Sequence, residues 1–373
     1  MQASKRDHNV YILGAGFSKD AGLPLMQEFM HKIKDKYEDP DTQIEDHLHK
    51  DFDLVIDYRN KLRACRDYIN ADLENIETLF SLISMDCLSD RSEADLTHRA
   101  IRRVIADIVG PQNTKIANGK FFIEKSSLDD RKLSKLKMAH ISNHPVAAEG
   151  DKYVLDEYSF FVALLGKLIT KKQSHKDTVL TFNYDTILED RASLLGMDID
   201  YGFEKKASDN ESIKLLKLHG SINWQQDIHS DRPILAGHID GKYDPVILPP
   251  TWEKTPQSWL QNIWGSALGA ISDATNIIII GYSMPETDSY FKHLITAGLA
   301  KNRGINKIIV VDKSNYATDE SPLNARYKEL FGPLVSYGKY FYSPSGLKEF
   351  LYYLTSSRSE YFVNREVMPF SRS

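Results

Sequence analysis

Four short aliphatic runs punctuate the chain, and each ends in glycine or in a polar cluster. Residues 10–13 (VYIL) lead into GAGFSKDAGLP, and DTVLTFNYD, TNIIIIGYS and NKIIVVDKS occupy 177–185, 275–283 and 306–314. Continuous β-branched runs bounded by turn residues read as strands buried on both faces. Between the first and second runs the period changes. Residues 28–110 keep apolar positions three and four apart, as in IEDHLHKDFDLVIDYRNKLRACRDYINADLENIETLFSLISM, which predicts helices with almost no strand. Residues 110–149 are polar and lysine-rich and predict loops around short elements, after which helical spacing returns in YSFFVALLGKLITKKQ. Strands alternating with helices predict an α/β fold, a Rossmann-like doubly wound parallel sheet with its ligand crevice at the carboxyl ends of the strands. The expected organisation is a core of residues 1–27 and 150–345, an α-helical insertion at 28–149 and a tail at 346–373.

That crevice fixes where to look for chemistry. The first strand ends at Gly14, Ala15 and Gly16, another at Asn183, Tyr184 and Asp185, another at Gly281, Tyr282 and Ser283, and another at Asp312. A glycine turn between a strand and a helix start lets backbone N–H groups approach an anion, phosphate above all. The spacing, G-x-G and then Gly22 six residues on, fits neither the G-x-G-x-x-G nor the P-loop pattern. A turn that needs glycine for positive φ accounts for the same residues. Asn and Asp after a strand also cap helices, and Asp312 suits either a ribose diol or an N-cap. The shared position of the four clusters favours convergence on one site.

Composition adds bounds. The 373 residues carry a formal charge of -5 and are 42% hydrophobic, so the overall balance favours neither nucleic acid nor an anionic membrane as partner. The first residues lack a signal-peptide core and the aliphatic run 277–280 is too short to span a bilayer, so a cytoplasmic location is expected. Cys65 and Cys87 are the only cysteines, which excludes a disulfide framework and a four-cysteine zinc ribbon. His47 with His49, and His140 with His144, have spacings that a metal accepts, although helix-surface histidines are commoner. GYSMP lacks the last glycine of a hydrolase nucleophile elbow. Trp224, Trp252, Trp259 and Trp264 read as a core or interface aromatic group.

Taken together and in this order, GAGFSKDAGLP, TFNYDT, KLHGSINW and IIGYSMPETD resemble the sirtuin family, and in particular the sirtuin-like NAD-consuming effectors of bacterial anti-phage defence. The resemblance spans residues 9 to about 315 without the insertion or the tail. It implies that Gly14, Ala15, Gly16 and Ser18, with Gly22 closing the loop, wrap the NAD pyrophosphate. Asn183 then lies beside the nicotinamide ribose with Asp185 as its orienting neighbour, and His219 is the catalytic histidine. Gly281, Tyr282 and Ser283 correspond to the turn near the phosphates and adenosine ribose, and Asp312 to the adenosine side.

The departures from the family are specific. Sirtuin deacetylases follow the glycine loop with Asp-Phe-Arg, whereas Pro24 here precedes Leu25, Met26 and Gln27. They also carry a zinc module after the histidine, and no cysteine lies between His219 and the DPVILPP segment at 244–250. The resemblance therefore implies a sirtuin-like fold without that module and hydrolysis of NAD to nicotinamide and ADP-ribose, with NAD as substrate and no metal. A protein deacylase and a non-catalytic NAD or ADP-ribose sensor remain the alternatives. Stand-alone chains of this kind resemble the subunit that assembles with a HerA-type hexameric ATPase, which implies a homo-oligomer with nucleic acid reached only through that partner.

Overall fold

The computed structural model describes residues 7–355 except 43, 65–71, 88–90, 111–118, 142–145, 170–175, 205–211, 227–231, 237–243, 249–257, 286–287 and 315–319. Cys65, His144 and Trp252 lie outside the described residues. From the N-terminus, β1 (His8–Leu13) enters the single turn α1 (Ala15–Ser18), and helices α2 (Phe29–Glu38), α3 (Asp46–Arg63), α4 (Ile76–Asp86) and α5 (Arg91–Val109) follow. Next come β2 (Phe121–Glu124), α6 (Asp130–Ile141), β3 (Val146–Glu149) and β4 (Lys152–Leu155). The chain continues through α7 (Glu157–Leu165), β5 (Lys176–Thr181), α8 (Ile187–Leu194), β6 (Ile199–Asp200) and β7 (Ile213–Lys217). A second small sheet is supplied by β8 (Gly220–Gln225), β9 (Ile234–Leu235) and β10 (Pro245–Ile247). The last part holds α9 (Ser258–Asp273), β11 (Asn276–Ile280), α10 (Ser289–Lys301), β12 (Lys307–Val311), α11 (Pro322–Leu330), α12 (Gly332–Ser336), β13 (Tyr340–Ser343) and α13 (Leu347–Thr355).

Seven strands form one sheet in the order β13-β12-β11-β1-β5-β7-β6, and every neighbouring pair runs parallel. From β1 the chain winds toward β5 and β7, and later returns to the other side through β11, β12 and β13. The reversal falls between β1 and β11, which is where a doubly wound sheet opens its crevice. Right-handed crossovers then put α7 and α8 on one face and α9 and α10 on the other. Packing agrees, since α7 meets α8, α9 meets α10, and α9 lies on β1 and β7. Tyr11 of β1 meets Phe161 of α7 edge to face at 5.2 Å. Because both faces are covered, β1, β11 and β12 are buried almost throughout, and the uninterrupted aliphatic runs follow from that.

The α/β class and parallel sheet expected from the sequence are therefore present, with two additions. IKLLK (β7), YFYS (β13) and the two-residue β6 join the sheet, and residues 121–155 hold the three-stranded antiparallel sheet β2-β4-β3. Among the described residues no helix is long and apolar enough to cross a membrane.

Helices α2 to α5 form the helical layer between β1 and β2, with Phe52, Val55, Leu79, Phe80, Ile101 and Val104 buried in it. An ion-pair relay ties this layer to the sheet after β7. The Arg103 guanidinium donates twice to the buried Asp51 carboxylate of α3 at 2.6 Å and once to Asp244, just before β10, at 2.5 Å. The fork geometry of arginine suits such bidentate pairing. The insertion is thereby fixed over the small sheet that follows His219.

Candidate functional site

Gly14, Asn183, His219, Gly281 and Asp312 all lie just past the carboxyl ends of β1, β5, β7, β11 and β12. The parallel topology alone brings these ends to one edge. At the reversal point the two glycine loops close on each other. Gly14 N–H donates to Ile280 O at 3.1 Å, Gly16 N–H to Gly281 O at 2.8 Å, and Gly281 N–H to Val311 O at 2.9 Å. A Cβ at Gly14 would stand 2.6 Å from Gly281 O, and one at Gly281, whose φ is +60°, would stand 2.2 Å from Phe17 N. Glycine is required here for loop-to-loop contact. This differs from the expectation that these N–H groups face a phosphate, because in this conformation those of Gly14 and Gly16 are already engaged. Ala15 is half-exposed and Gly16 exposed at the rim. Gly22, φ +88°, ends the turn over residues 19–21 and donates its N–H to Lys19 O, a C-cap task.

The loop after β5 is wired into the glycine turn. The buried Asn183 amide donates to Gly14 O at 2.9 Å and to Ser18 Oγ at 3.0 Å. Ser18 Oγ donates in turn to Asp185 Oδ2 at 2.7 Å, and Asp185 Oδ1 accepts from Ile187 N–H at 3.2 Å. From the neighbouring strand the buried Lys217 ammonium donates to the Asp185 carbonyl and, at 2.8 Å, to Glu189 Oε1. Burial pushes the Glu189 carboxyl upward while the Lys217 charge opposes the shift. One network thus fixes the glycine turn, Ser18, Asn183 and Asp185 relative to each other.

His219 is buried two residues past β7. Its carbonyl accepts from Leu248 N–H at 2.8 Å, and Gly220 beside it, φ +82°, leaves no room for a Cβ against Val246 O. Aromatic rings set the walls. Phe182 meets the imidazole edge-on at 5.2 Å and stacks on Tyr282 at 4.9 Å, while Tyr184 lies 6.5 Å from the imidazole. Tyr282 faces inward, with its hydroxyl donating to Asp288 Oδ2 and its carbonyl accepting from Tyr327 OH at 2.8 Å. Burial, then the Asp288 charge, raises the Tyr282 phenol well above its usual value. Ser283 is exposed, its carbonyl accepting from Arg326 at 2.9 Å. Half-buried Asp312 stands two strands from β1, with burial as the main cause of its raised pKa.

Of the remaining candidates, His47 and His49 are exposed on α3. The His140 ring contacts Val146 O at 3.3 Å, and among the described residues no group of three or more His, Cys, Asp or Glu could hold a metal ion. Trp224 and Trp259 are buried and meet edge to face at 5.8 Å. Cys87 is a half-buried free thiol whose pKa burial pushes up. Sequence reasoning missed Lys217 and the Ser18 to Asp185 bond. The lysine left one legible trace, a cation inside the apolar run LLKL.

Among curated proteins none matches the chain. Two solved structures align over 88% of it: "Structure of Sir2Tm bound to a propionylated peptide", at 12% identity, 94% of that chain and a TM-score of 0.33, and "The Structural basis of Sirtuin Substrate Affinity", at 13%, 95% and 0.34. Both superpositions are loose. A family model described as SIR2-like domain matches residues 177–330, which hold Asn183, Asp185, His219 and Gly281. The glycine turn lies outside that match and is joined to it by the Asn183 and Ser18 hydrogen bonds. Residues 177–330 are thus similar to a SIR2-like domain.

Proposed function

We propose that the chain is an NAD+ glycohydrolase that cleaves NAD to nicotinamide and ADP-ribose. The observation that carries this reading is the hydrogen-bonded link of Gly14, Asn183, Ser18 and Asp185 at the sheet's reversal point, with His219 following the adjacent strand. Breaking the nicotinamide N-glycosidic bond builds positive charge on the ribose while a neutral group departs, so the site needs positioning, a water and a proton acceptor more than an acid. Asn183 holds a water or the ribose hydroxyls, Asp185 orients Asn183 and opposes the developing charge, and neutral His219 accepts a proton from a hydroxyl. Gly14, Ala15, Gly16, Ser18, Gly22 and residues 281–283 frame the phosphates, with Asp312 on the adenosine side. Pro24 to Gln27 in place of Asp-Phe-Arg, and the lack of cysteine from His219 to residue 250, favour hydrolysis over deacylation.

Purified chain incubated with NAD is expected to release nicotinamide and ADP-ribose in equal amounts, at a rate that neither EDTA nor an acetyl-lysine peptide changes. Chromatography of the products checks this. Peptide-dependent nicotinamide release would identify a deacylase, binding without products a sensor, and loss of turnover in EDTA a metal requirement.

Residues 1–27 and 150–345 are read as the catalytic core, 28–149 as its insertion and 346–373 as its tail. An NAD hydrolase drains its own cell, which suits an effector of anti-phage defence kept inactive in the cytoplasm until assembly or infection releases it. The motif resemblance supports a homo-oligomer that pairs with a HerA-type hexameric ATPase. Light scattering of the chain alone and beside such an ATPase is expected to show an oligomer and a joint complex. A strict monomer that captures no ATPase would refute the assembly and leave the hydrolase reading standing.

A further inference from the structure

Arg103 is one of three arginines on one face of α5, at positions 99, 102 and 103, that converge on the residues opening β10. Arg99 Nε donates to Asp244 Oδ2 at 2.6 Å, Arg103 Nη1 to Asp244 Oδ1 at 2.5 Å, and Arg102 Nη1 to the Pro245 carbonyl at 3.4 Å. Arg103 is itself held by its bidentate pair with the buried Asp51 of α3. Charge-assisted bonds to both oxygens of one carboxylate fix where that residue sits. One end of β10 is thereby tied to two helices of the insertion.

The other end meets the histidine. Leu248, just past β10, donates its N–H to the His219 carbonyl at 2.8 Å, and its own carbonyl accepts from the Tyr184 hydroxyl at 3.4 Å. Tyr184 is the ring that lies 6.5 Å from the imidazole. Between the two ends β10 pairs with β8, Val246 opposite Ser221 and Ile247 opposite Gly220. A Cβ at Gly220 would stand 2.0 Å from Val246 O, so the His219–Gly220 peptide lies directly on the strand. In packing this close, backbone atoms on one side follow those on the other. Residues 244–248 are a strap, gripped by α5 at Asp244 and by His219 and Tyr184 at Leu248.

We propose that Asp244 is a positioning residue for His219, through which the helical insertion sets the imidazole by way of the strap at 244–248. The inference rests on the hydrolase reading above. Asp244 touches no reacting group in that reading. Its carboxylate fixes β10, β10 fixes the His219 backbone and the Tyr184 ring, and the imidazole is thereby aimed at the ribose hydroxyls. A misplacement of about 1 Å at a reacting group can cost about a hundred-fold in rate. A strap released at one end therefore lowers kcat, whereas the residues that frame NAD keep its KM.

The test measures kcat and KM on NAD, the melting temperature, and the NMR signal of the His219 imidazole in full chain carrying isotope-labelled histidine, that signal being identified by its absence from His219→Ala. Asp244→Asn removes the charge that the arginines grip and Asp244→Glu restores it. Arg99→Ala removes a single bond to the same carboxylate from a half-exposed side chain, so it tests the grip without disturbing the core. Asp107→Asn is the control, because Asp107 lies on the same helix and pairs with Lys36 at 2.6 Å without touching the strap. Below the melting transition, Asp244→Asn is expected to lower kcat about ten-fold or more with KM within about two-fold, and to move the imidazole signal. Arg99→Ala shifts both readouts in the same direction by less, and Asp244→Glu recovers most of each. Asp107→Asn melts lower than wild type but keeps its kcat and its imidazole signal. A wild-type kcat or an unmoved imidazole signal in folded Asp244→Asn overturns the proposal, as do equal changes in Asp107→Asn, which mark a general loosening of the insertion. A wild type that releases no nicotinamide overturns the hydrolase reading, and the imidazole signal alone then decides the positioning: movement in Asp244→Asn and not in Asp107→Asn supports it, and any other pattern overturns it.

Discussion

Nicotinamide release by an Asn183→Ala variant is expected to fall by about a hundred-fold or more, the usual cost of removing a preorganised polar group from a reacting centre. The same substitution has a structural consequence. The amide bonds Gly14 O and Ser18 Oγ, so its loss leaves buried groups without those donors, at a cost of about 1–3 kcal/mol. The variant therefore folds with a lowered melting temperature and loses activity well beyond what the stability change explains. Product chromatography below the melting transition separates the two effects. Turnover near wild type would remove Asn183 from the reacting centre and leave it a strut of the glycine turn.

The second large effect concerns the meeting of the two loops. Gly281→Ala places a Cβ 2.2 Å from Phe17 N and 2.4 Å from Gly16 C, at a residue whose φ is +60°. Both neighbours are backbone atoms, and Gly16 is held by its 2.8 Å bond to Gly281 O, so no side chain can swing aside. Overpacking and left-handed strain together are expected to cost about 3 kcal/mol or more. Thermal melts should show a drop of about 4 °C or more, and activity should fall with it because the reversal point is pried open. A Gly281→Ala chain that melts with wild type would mean that the loops after β1 and β11 do not touch.

The strands that cover this crevice were legible where two-sided burial writes a continuous aliphatic run. VYIL, TVLT, NIIII and KIIVV mark β1, β5, β11 and β12, and the polar residues just past them line up because parallel strands end on one edge. IKLLK hid β7, because Lys214 and Lys217 break the apolar pattern although Lys217 is buried and satisfied by the Asp185 carbonyl and Glu189. The outer strand β13, YFYS, carries aromatics that suit a tail helix as well as a strand. The antiparallel sheet β2-β4-β3 was illegible because four-residue strands such as VAAE, with only its first residue buried, leave little periodicity to read.

Within the site, residue types at strand ends were readable and their partners were not. Ser18 reaches Asp185 across 167 positions and Asn183 reaches Gly14 across 169, separations at which local pattern carries no information. The glycines show the converse. Gly14 and Gly281 announced a tight turn, but whether that turn faces a ligand or another loop depended on a strand 267 positions away.

The most direct measurement is the proton NMR time course of NAD mixed with the purified full chain, without peptide or added metal, beside a His219→Ala variant. The hydrolase reading predicts that nicotinamide and ADP-ribose resonances grow together at a one-to-one ratio with wild type, and that His219→Ala slows this by about a hundred-fold or more. NAD resonances that stay unchanged with the folded wild type, or products that form equally fast with the variant, would contradict it.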